Sequence, residues 1–142
     1  NFTARSLTLE FPSTIVASGN TYFKTEGIEI NSHNFSYDIK MKKGNFSKNV
    51  VIKNNNSILK GDTFSIDYLK NKVSGHGNIS LKSNTIQATS NDLEIKDYEI
   101  LRLYNNVQVE QNGSQIKSNE LIYNLKTDSI ISNKRIKLII KE

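Results

Sequence analysis

Residues 73–82 read VSGHGNISLK, and Gly75-His76-Gly77-Asn78 brings together two ingredients of a phosphate site. Glycine lets backbone N–H groups approach an anion, and a histidine beside them can move a proton. Such a loop has to open a helix, whose first N–H groups point at the anion, whereas this one runs into the alternating Ile79-Ser80-Leu81-Lys82. The glycines are therefore expected to serve backbone geometry, with His76 a turn residue. The other histidine, His33, stands 43 positions away, and neither has a carboxylate cluster at ligand spacing, so neither a metal site nor a cofactor is expected. No Gly-x-Ser-x-Gly elbow is present, and Asp92 and Glu94 fall where other parts of the chain carry plain polar residues, so the chain does not read as an enzyme. Triplets such as Asn34-Phe35-Ser36 and Asn78-Ile79-Ser80 are what chance produces in a chain rich in Asn and Ser, and do not indicate glycosylation.

The chain has 142 residues, the usual size of one domain, and is read as a single domain over 1–142. Lys plus Arg number 19 against 14 Asp plus Glu, but the cations are scattered singly, which favours mild attraction to anions over a nucleic-acid groove. There is no Cys, so neither disulfides nor thiolate metal sites are expected and thiols say nothing of the compartment. No run of about 20 apolar residues marks a transmembrane helix. The chain opens on Asn1-Phe2-Thr3 without an initiator Met, which reads as a processed product and is compatible with a removed leader or anchor.

The elements that must position any site are strands. Phe35-Ser36-Tyr37-Asp38-Ile39-Lys40-Met41-Lys42 alternates apolar and polar residues, as do Phe64-Ser65-Ile66-Asp67, Ile79-Ser80-Leu81-Lys82, Leu93-Glu94-Ile95-Lys96 and Val107-Gln108-Val109-Glu110. Period two means strands with one wet face. Between them lie Lys42-Lys43-Gly44-Asn45, Asn54-Asn55-Asn56-Ser57, Lys70-Asn71-Lys72, Lys82-Ser83-Asn84 and Gln111-Asn112-Gly113-Ser114, expected as hairpin ends because Asn and Gly accept positive φ. Asn91 to Tyr104 is the least strand-like stretch, yet no segment shows a clean helical stripe, so little or no helix is predicted.

A repeat organises these strands. One landmark, an apolar residue followed five and seven positions later by further apolar or aromatic residues, occurs at Phe2/Leu7/Leu9, Ile30/Phe35/Tyr37, Leu59/Phe64/Ile66, Ala88/Leu93/Ile95 and Ile116/Leu121/Tyr123. A second, Asn before an alternating run, occurs at Asn20, Asn49, Asn78 and Asn106 and is replaced by Arg135 in the last unit. Both recur every 28 or 29 residues. Five units of two strands, about ten strands in all, suit a stacked antiparallel sheet better than a parallel β-helix, whose coils carry three short strands and ladders of identical inward residues. Gly77-Asn78 then occupies the slot of Gly19-Asn20, Lys48-Asn49 and Asn105-Asn106, expected as the turn just before a strand.

The pieces Ile58-Leu59-Lys60-Gly61-Asp62-Thr63-Phe64-Ser65-Ile66-Asp67-Tyr68, Gly77-Asn78-Ile79-Ser80-Leu81 and Ile116-Lys117-Ser118-Asn119-Glu120-Leu121-Ile122-Tyr123, with their spacing, resemble the lipopolysaccharide-transport proteins of the LptA or OstA-like type, with the LptC domain a close relative. The likeness runs over essentially the whole chain. Lys96 stands where that pattern has Asp or Asn, Gly75 where other units have Phe46 and Leu103, and Lys134-Arg135 where Gly-Asn would begin the last strand. The resemblance implies an all-β, antiparallel folded-over sheet, a β-jellyroll or β-taco, whose apolar inner faces hold the acyl chains of lipid A. It also implies a periplasmic setting, bridging from inner to outer membrane, and copies or other Lpt-type β-jellyroll proteins joined through edge strands, head-to-tail self-association included.

With one face of each strand turned inward, the wall comprises Ile30, Phe35, Tyr37, Ile39, Val50, Ile52, Phe64, Ile66, Ile79, Leu81, Leu93, Ile95, Val107, Val109, Leu121, Tyr123, Ile136 and Leu138. The same residues would also fill a closed sandwich. Lys40, Lys42, Lys53, Lys82 and Lys117 are candidates for a rim meeting lipid phosphates, or ordinary solvated residues. The first strand, near Phe2 to Glu10, and the last, Ile136 to Ile140, are expected as edges with unpaired backbone groups, flanked at the end by Lys134, Arg135, Lys137 and Lys141. Two alternatives stay open: the periplasmic domain of a membrane-anchored LptC-like partner, and a repetitive β-scaffold acting as a surface interaction module.

Overall fold

The computed structural model describes residues 2–3, 5–10, 14–25, 27–134 and 137–140, and the side chains of 3, 5, 14–25 and 27–131. Twelve strands follow one another: β1 (Phe2–Thr3), β2 (Ser6–Glu10), β3 (Thr14–Thr25), β4 (Ile28–Asp38), β5 (Lys43–Lys53), β6 (Ser57–Asp67), β7 (Lys72–Ser83), β8 (Gln87–Lys96), β9 (Ile100–Gln111), β10 (Ser114–Asn124), β11 (Ser129–Lys134) and β12 (Lys137–Ile140). They form one sheet in which each long strand is antiparallel to the next in sequence. The short segments β1 and β2 lie end to end along β3, and β11 and β12 do the same along β10. Five two-strand units therefore span the sheet, and no helix occurs among the described residues. Asn91 to Tyr104, the least strand-like stretch, is itself β8, a turn and β9.

Hairpins close where a side-chain oxygen can replace the ladder. Asp38 Oδ1 accepts the Met41 N–H at 3.0 Å, Asp67 Oδ1 those of Leu69 and Lys70 at 3.1 and 3.2 Å, and Asn124 Oδ1 those of Lys126 and Thr127 at 2.8 and 3.0 Å. These three residues share one slot of the repeat, which Lys96 fills in the fourth unit. Lacking an acceptor side chain, that turn is closed by the Glu99 N–H on the Lys96 carbonyl at 3.0 Å, with Asp97 and Tyr98 both at positive φ. The departure from the pattern at Lys96 is thus absorbed by backbone. The Asp38 cap also moves one turn from its expected place. Residues 39–42 form it, while Lys43, Gly44 and Asn45 are already in β5.

Gly77-Asn78 is not a turn. It lies inside β7, with φ of +83° and +49°, where the register skips between the pairs His76↔Asp92 and Ile79↔Ser90. Gly19-Asn20, Lys48-Asn49 and Asn105-Asn106 have the same paired positive φ in the middle of β3, β5 and β9. Two successive left-handed residues cannot continue a flat ladder, so each of these strands turns a corner without ending. On the intervening strands the corner is occupied by Ser32, Ser90 and Ser118, whose hydroxyls donate to the carbonyls of Asn34, Asp92 and Glu120 at 2.9, 2.8 and 2.6 Å. The aligned corners crease the sheet into two leaves that close over a common apolar interior.

Gly61 holds the corner slot of the remaining strand, β6. A Cβ there would stand 2.6 Å from Ile79 and 2.7 Å from the Phe64 ring, and one at Gly75 would stand 2.5 Å from that ring. Phe64 fills the space that Phe46 and Leu103 fill in their own units, which explains why Gly75 replaces them.

Candidate functional site: the inner wall of the creased sheet

Across the first leaf, cross-strand pairs align two apolar rows. One runs Phe35, Phe46, Phe64, Gly75, Leu93, Leu103, Leu121, and the other Tyr37, Gly44, Ile66, Val73, Ile95, Leu101, Tyr123. The second leaf contributes Phe23, Ile30, Ile52, Leu59, Leu81, Ala88, Val109 and Ile116. Alternation places them all inward because the side-chain period of a strand is two. Polar side chains that are buried, Thr21, Ser32, Ser57, Ser90 and Ser118, lie at the crease or at a strand end.

Of the expected wall residues, Ile30, Phe35, Val50, Ile52, Phe64, Ile66, Ile79, Leu81, Leu93, Ile95, Val107, Val109, Leu121 and Tyr123 are buried in this interior, and Tyr37 is half-buried against it. Ile39 is not part of the wall. It leaves the strand with the turn that Asp38 caps and is 45 % exposed. Ile136 and the side chain of Leu138 lie outside the described residues. Phe46, Leu59, Val73, Ala88, Leu101 and Leu103 belong to the wall but were missed. Their signal was present: each lies directly across the ladder from an expected wall residue or from its neighbour in the same row, but pairing register is not written in a single strand.

Two kinds of contact shut the leaves together. Near the first units the closure is aromatic: Phe23, from the second leaf, packs edge-on against Tyr68 at 5.8 Å and against Phe46 at 6.2 Å, with Tyr37 on Tyr68 at 5.6 Å. Burial, and then the neighbouring phenols of Tyr98 and Tyr37, push the Tyr68 hydroxyl above the ordinary tyrosine range. Farther along the closure is polar. The Tyr123 hydroxyl donates to Ser83 Oγ at 3.1 Å, and the Thr85 hydroxyl lies 3.4 Å from that of Tyr123 and 3.3 Å from Asp128 Oδ1. Ser83 and Thr85 sit at the turn after β7, and Asp128 at the turn after β10, so strand ends from opposite margins of the sheet meet here.

The outer face is different chemistry on the same strands. A depression of about 490 Å³ on this face crosses β6 to β10 over the row Lys60, Ser80, Thr89, Gln108, Lys117. The lysines expected at one lipid rim do not converge: Lys82 and Lys117 line this outer depression, Lys53 shares a second one with Lys82 at a strand end, and Lys40 and Lys42 lie in the turn after β4. His76 is a strand residue, not a turn residue. Its Nδ1 meets Asp92 Oδ1 at 2.7 Å, while Asn105 donates to Asp92 Oδ2 at 2.6 Å. His33 lies on β4, with β5 and β6 between it and β7, and no cluster of metal-ligating side chains occurs among the described residues.

Residues 29–129 match the family described as LptA/(LptD N-terminal domain) LPS transport protein. The chain belongs to that family. The family's members are transport components, so the chain is no enzyme. Among solved structures, the fold is that of LptH from Pseudomonas aeruginosa, described as the LptA-homologous periplasmic component of the conserved lipopolysaccharide transport device. The two superpose with a TM-score of 0.69 at 15 % identity, over 81 % of this chain and 95 % of LptH. No curated protein sequence matches the chain. The creased sheet with its apolar interior is thus the LptA-like jellyroll, the fold that the family resemblance implied.

Proposed function

We propose that this Lpt-family chain works in the periplasm as a carrier of lipopolysaccharide, holding lipid A acyl chains between its two leaves and bridging inner to outer membrane in the LptA manner. One observation carries the reading. The leaves belong to a single sheet creased at its corners, and what the structure shows closing the open side is side-chain contact, Phe23 on Tyr68 and Tyr123 with Ser83 and Thr85. Two apolar faces joined by a crease can part on their open side without breaking the ladder that joins them. An acyl chain entering there exchanges apolar wall for apolar ligand and recovers roughly 0.8 kcal/mol per methylene, with no specific polar contact required.

Both ends of the sheet support assembly. Among the described residues β1 and β2 pair only with β3, and β11 and β12 only with β10, which leaves their outer backbone edges available for strand addition by another Lpt-type β-jellyroll or by a second copy. Sedimentation over a concentration series tests self-association.

The lipid reading is tested with a photo-crosslinking residue placed at Phe64 or Ile95, and at Ser65 or Glu94 as outward controls, followed by incubation with lipopolysaccharide. Capture is expected at the two inward positions only. Equal capture inside and outside, or none at all, sinks the groove.

A further inference from the structure

Exposed large apolar side chains are few among the described residues, and three of them gather on two adjoining turns: Ile39 and Met41 after β4 and Leu69 after β6, exposed by 45, 53 and 69 %. The turns are tied together by the Tyr68 N–H on the Lys42 carbonyl at 3.0 Å. The acids of this tip are engaged by its own backbone, whereas three of its lysines are exposed. Asp38 caps Met41, and Asp67 caps Leu69 and Lys70 while approaching Lys43 at 4.0 Å. Lys40, Lys42 and Lys70 are exposed on the same two turns and have no ion-pair partner among the described residues. The corresponding turns of the later units, Asp97-Tyr98-Glu99 and Lys126-Thr127-Asp128, carry acids in place of this pattern.

We propose that the two turns form a contact for the surface of a bilayer containing anionic phospholipid, with Ile39, Met41 and Leu69 entering the headgroup boundary and Lys40, Lys42 and Lys70 meeting lipid phosphates. Apolar side chains ringed by cations are the chemistry that a bilayer interface rewards. Two turn tips offer far less area than the roughly 1,000 Å² a stable protein partner needs, whereas a membrane adds attraction for each cation over its whole surface. At about fivefold per lysine, three lysines amount to about a hundredfold preference for anionic over neutral membranes.

The chain contains no Trp, so Leu69→Trp makes the tip its own fluorescent probe. Its emission is expected to shift to the blue with vesicles of phosphatidylcholine and phosphatidylglycerol and to stay put with phosphatidylcholine alone. Ile58→Trp, an exposed position on β6 away from these turns, is expected to stay put with both. Joint replacement of Lys40, Lys42 and Lys70 by Gln should weaken vesicle binding by about a hundredfold with an unchanged far-ultraviolet spectrum. No shift at Leu69→Trp, an equal shift at Ile58→Trp, or full binding by the lysine variant overturns the proposal. The vesicles hold no lipopolysaccharide, so the result is independent of the groove.

Discussion

The two closures of the creased sheet are built from different forces. Around Phe23, Tyr37, Phe46 and Tyr68 the leaves meet through ring contacts, and around Ser83, Thr85, Tyr123 and Asp128 through directional hydrogen bonds. Rings in contact tolerate sliding and accept another apolar surface in exchange, because the hydrophobic effect is not directional. Hydrogen bonds hold one geometry or none. On the proposed carrier reading, the aromatic closure is the one an acyl chain would replace directly, and the polar one is a latch that would have to be released.

The largest effect expected from breaking this contrast is at Phe46, fully buried among Phe23, Phe35 and Phe64 on the aromatic side. Phe46→Ala should cost about 3–5 kcal/mol, read from urea unfolding, because the creased sheet cannot collapse into the space. Next comes Gly75→Ala, whose methyl would meet the Phe64 ring. Overpacking of this kind costs about 1–3 kcal/mol, and Phe64→Leu in the same chain should recover part of it. On the polar side Tyr123→Phe keeps the ring and removes the latch hydroxyl, for about 1 kcal/mol in the same assay; a loss as large as that of Phe46→Ala would erase the distinction between the closures.

The latch can also be locked. Thr85 and Asp128 are in hydrogen-bond contact and the chain has no Cys of its own, so Thr85→Cys with Asp128→Cys gives one disulfide. Oxidised, this variant should lose lipopolysaccharide capture at Ile95 more than at Phe35, which lies beside the aromatic closure, and reduction should restore it. Capture unchanged at both positions would mean that the latch does not gate the wall.

The smallest effect lies on the crease. The hydrogen bonds from His76, and secondarily Asn105, hold Asp92 below the usual carboxylate range. A lowered native pKa stabilises the fold above about pH 4, the unfolded value, and that stability is lost as pH falls through the native one. His76→Ala should therefore move the acid limb of the stability profile to higher pH, and an unmoved limb would show that the contact is energetically silent. Asp92 is partly solvated, so the change is small.

Much of this was legible in the residues. Alternation at Phe64-Ser65-Ile66-Asp67 and its equivalents showed which side chains face inward, and the recurrence of Phe35, Phe64, Leu93 and Leu121 gave the count of units, because both depend only on local periodicity. Ile39 escaped that logic: it alternates as well as any wall residue, yet the carboxylate of Asp38 ends the strand one residue earlier. Asn78 stands out as a repeated position, yet repetition does not separate a turn from a corner, since a pair of positive φ angles serves equally to end a strand or to bend one. Which of the two occurs depends on whether the neighbouring strand continues past it.

Period and spacing alone are enough for the class of fold, its five units and the apolar character of one face. Three dimensions are needed for the aligned corners to crease the sheet, for Phe64 to occupy the room left by Gly61 and Gly75, and for Tyr123 to meet Ser83 across 40 residues. Those contacts join positions whose separation follows no period, so they exist only once the leaves have closed.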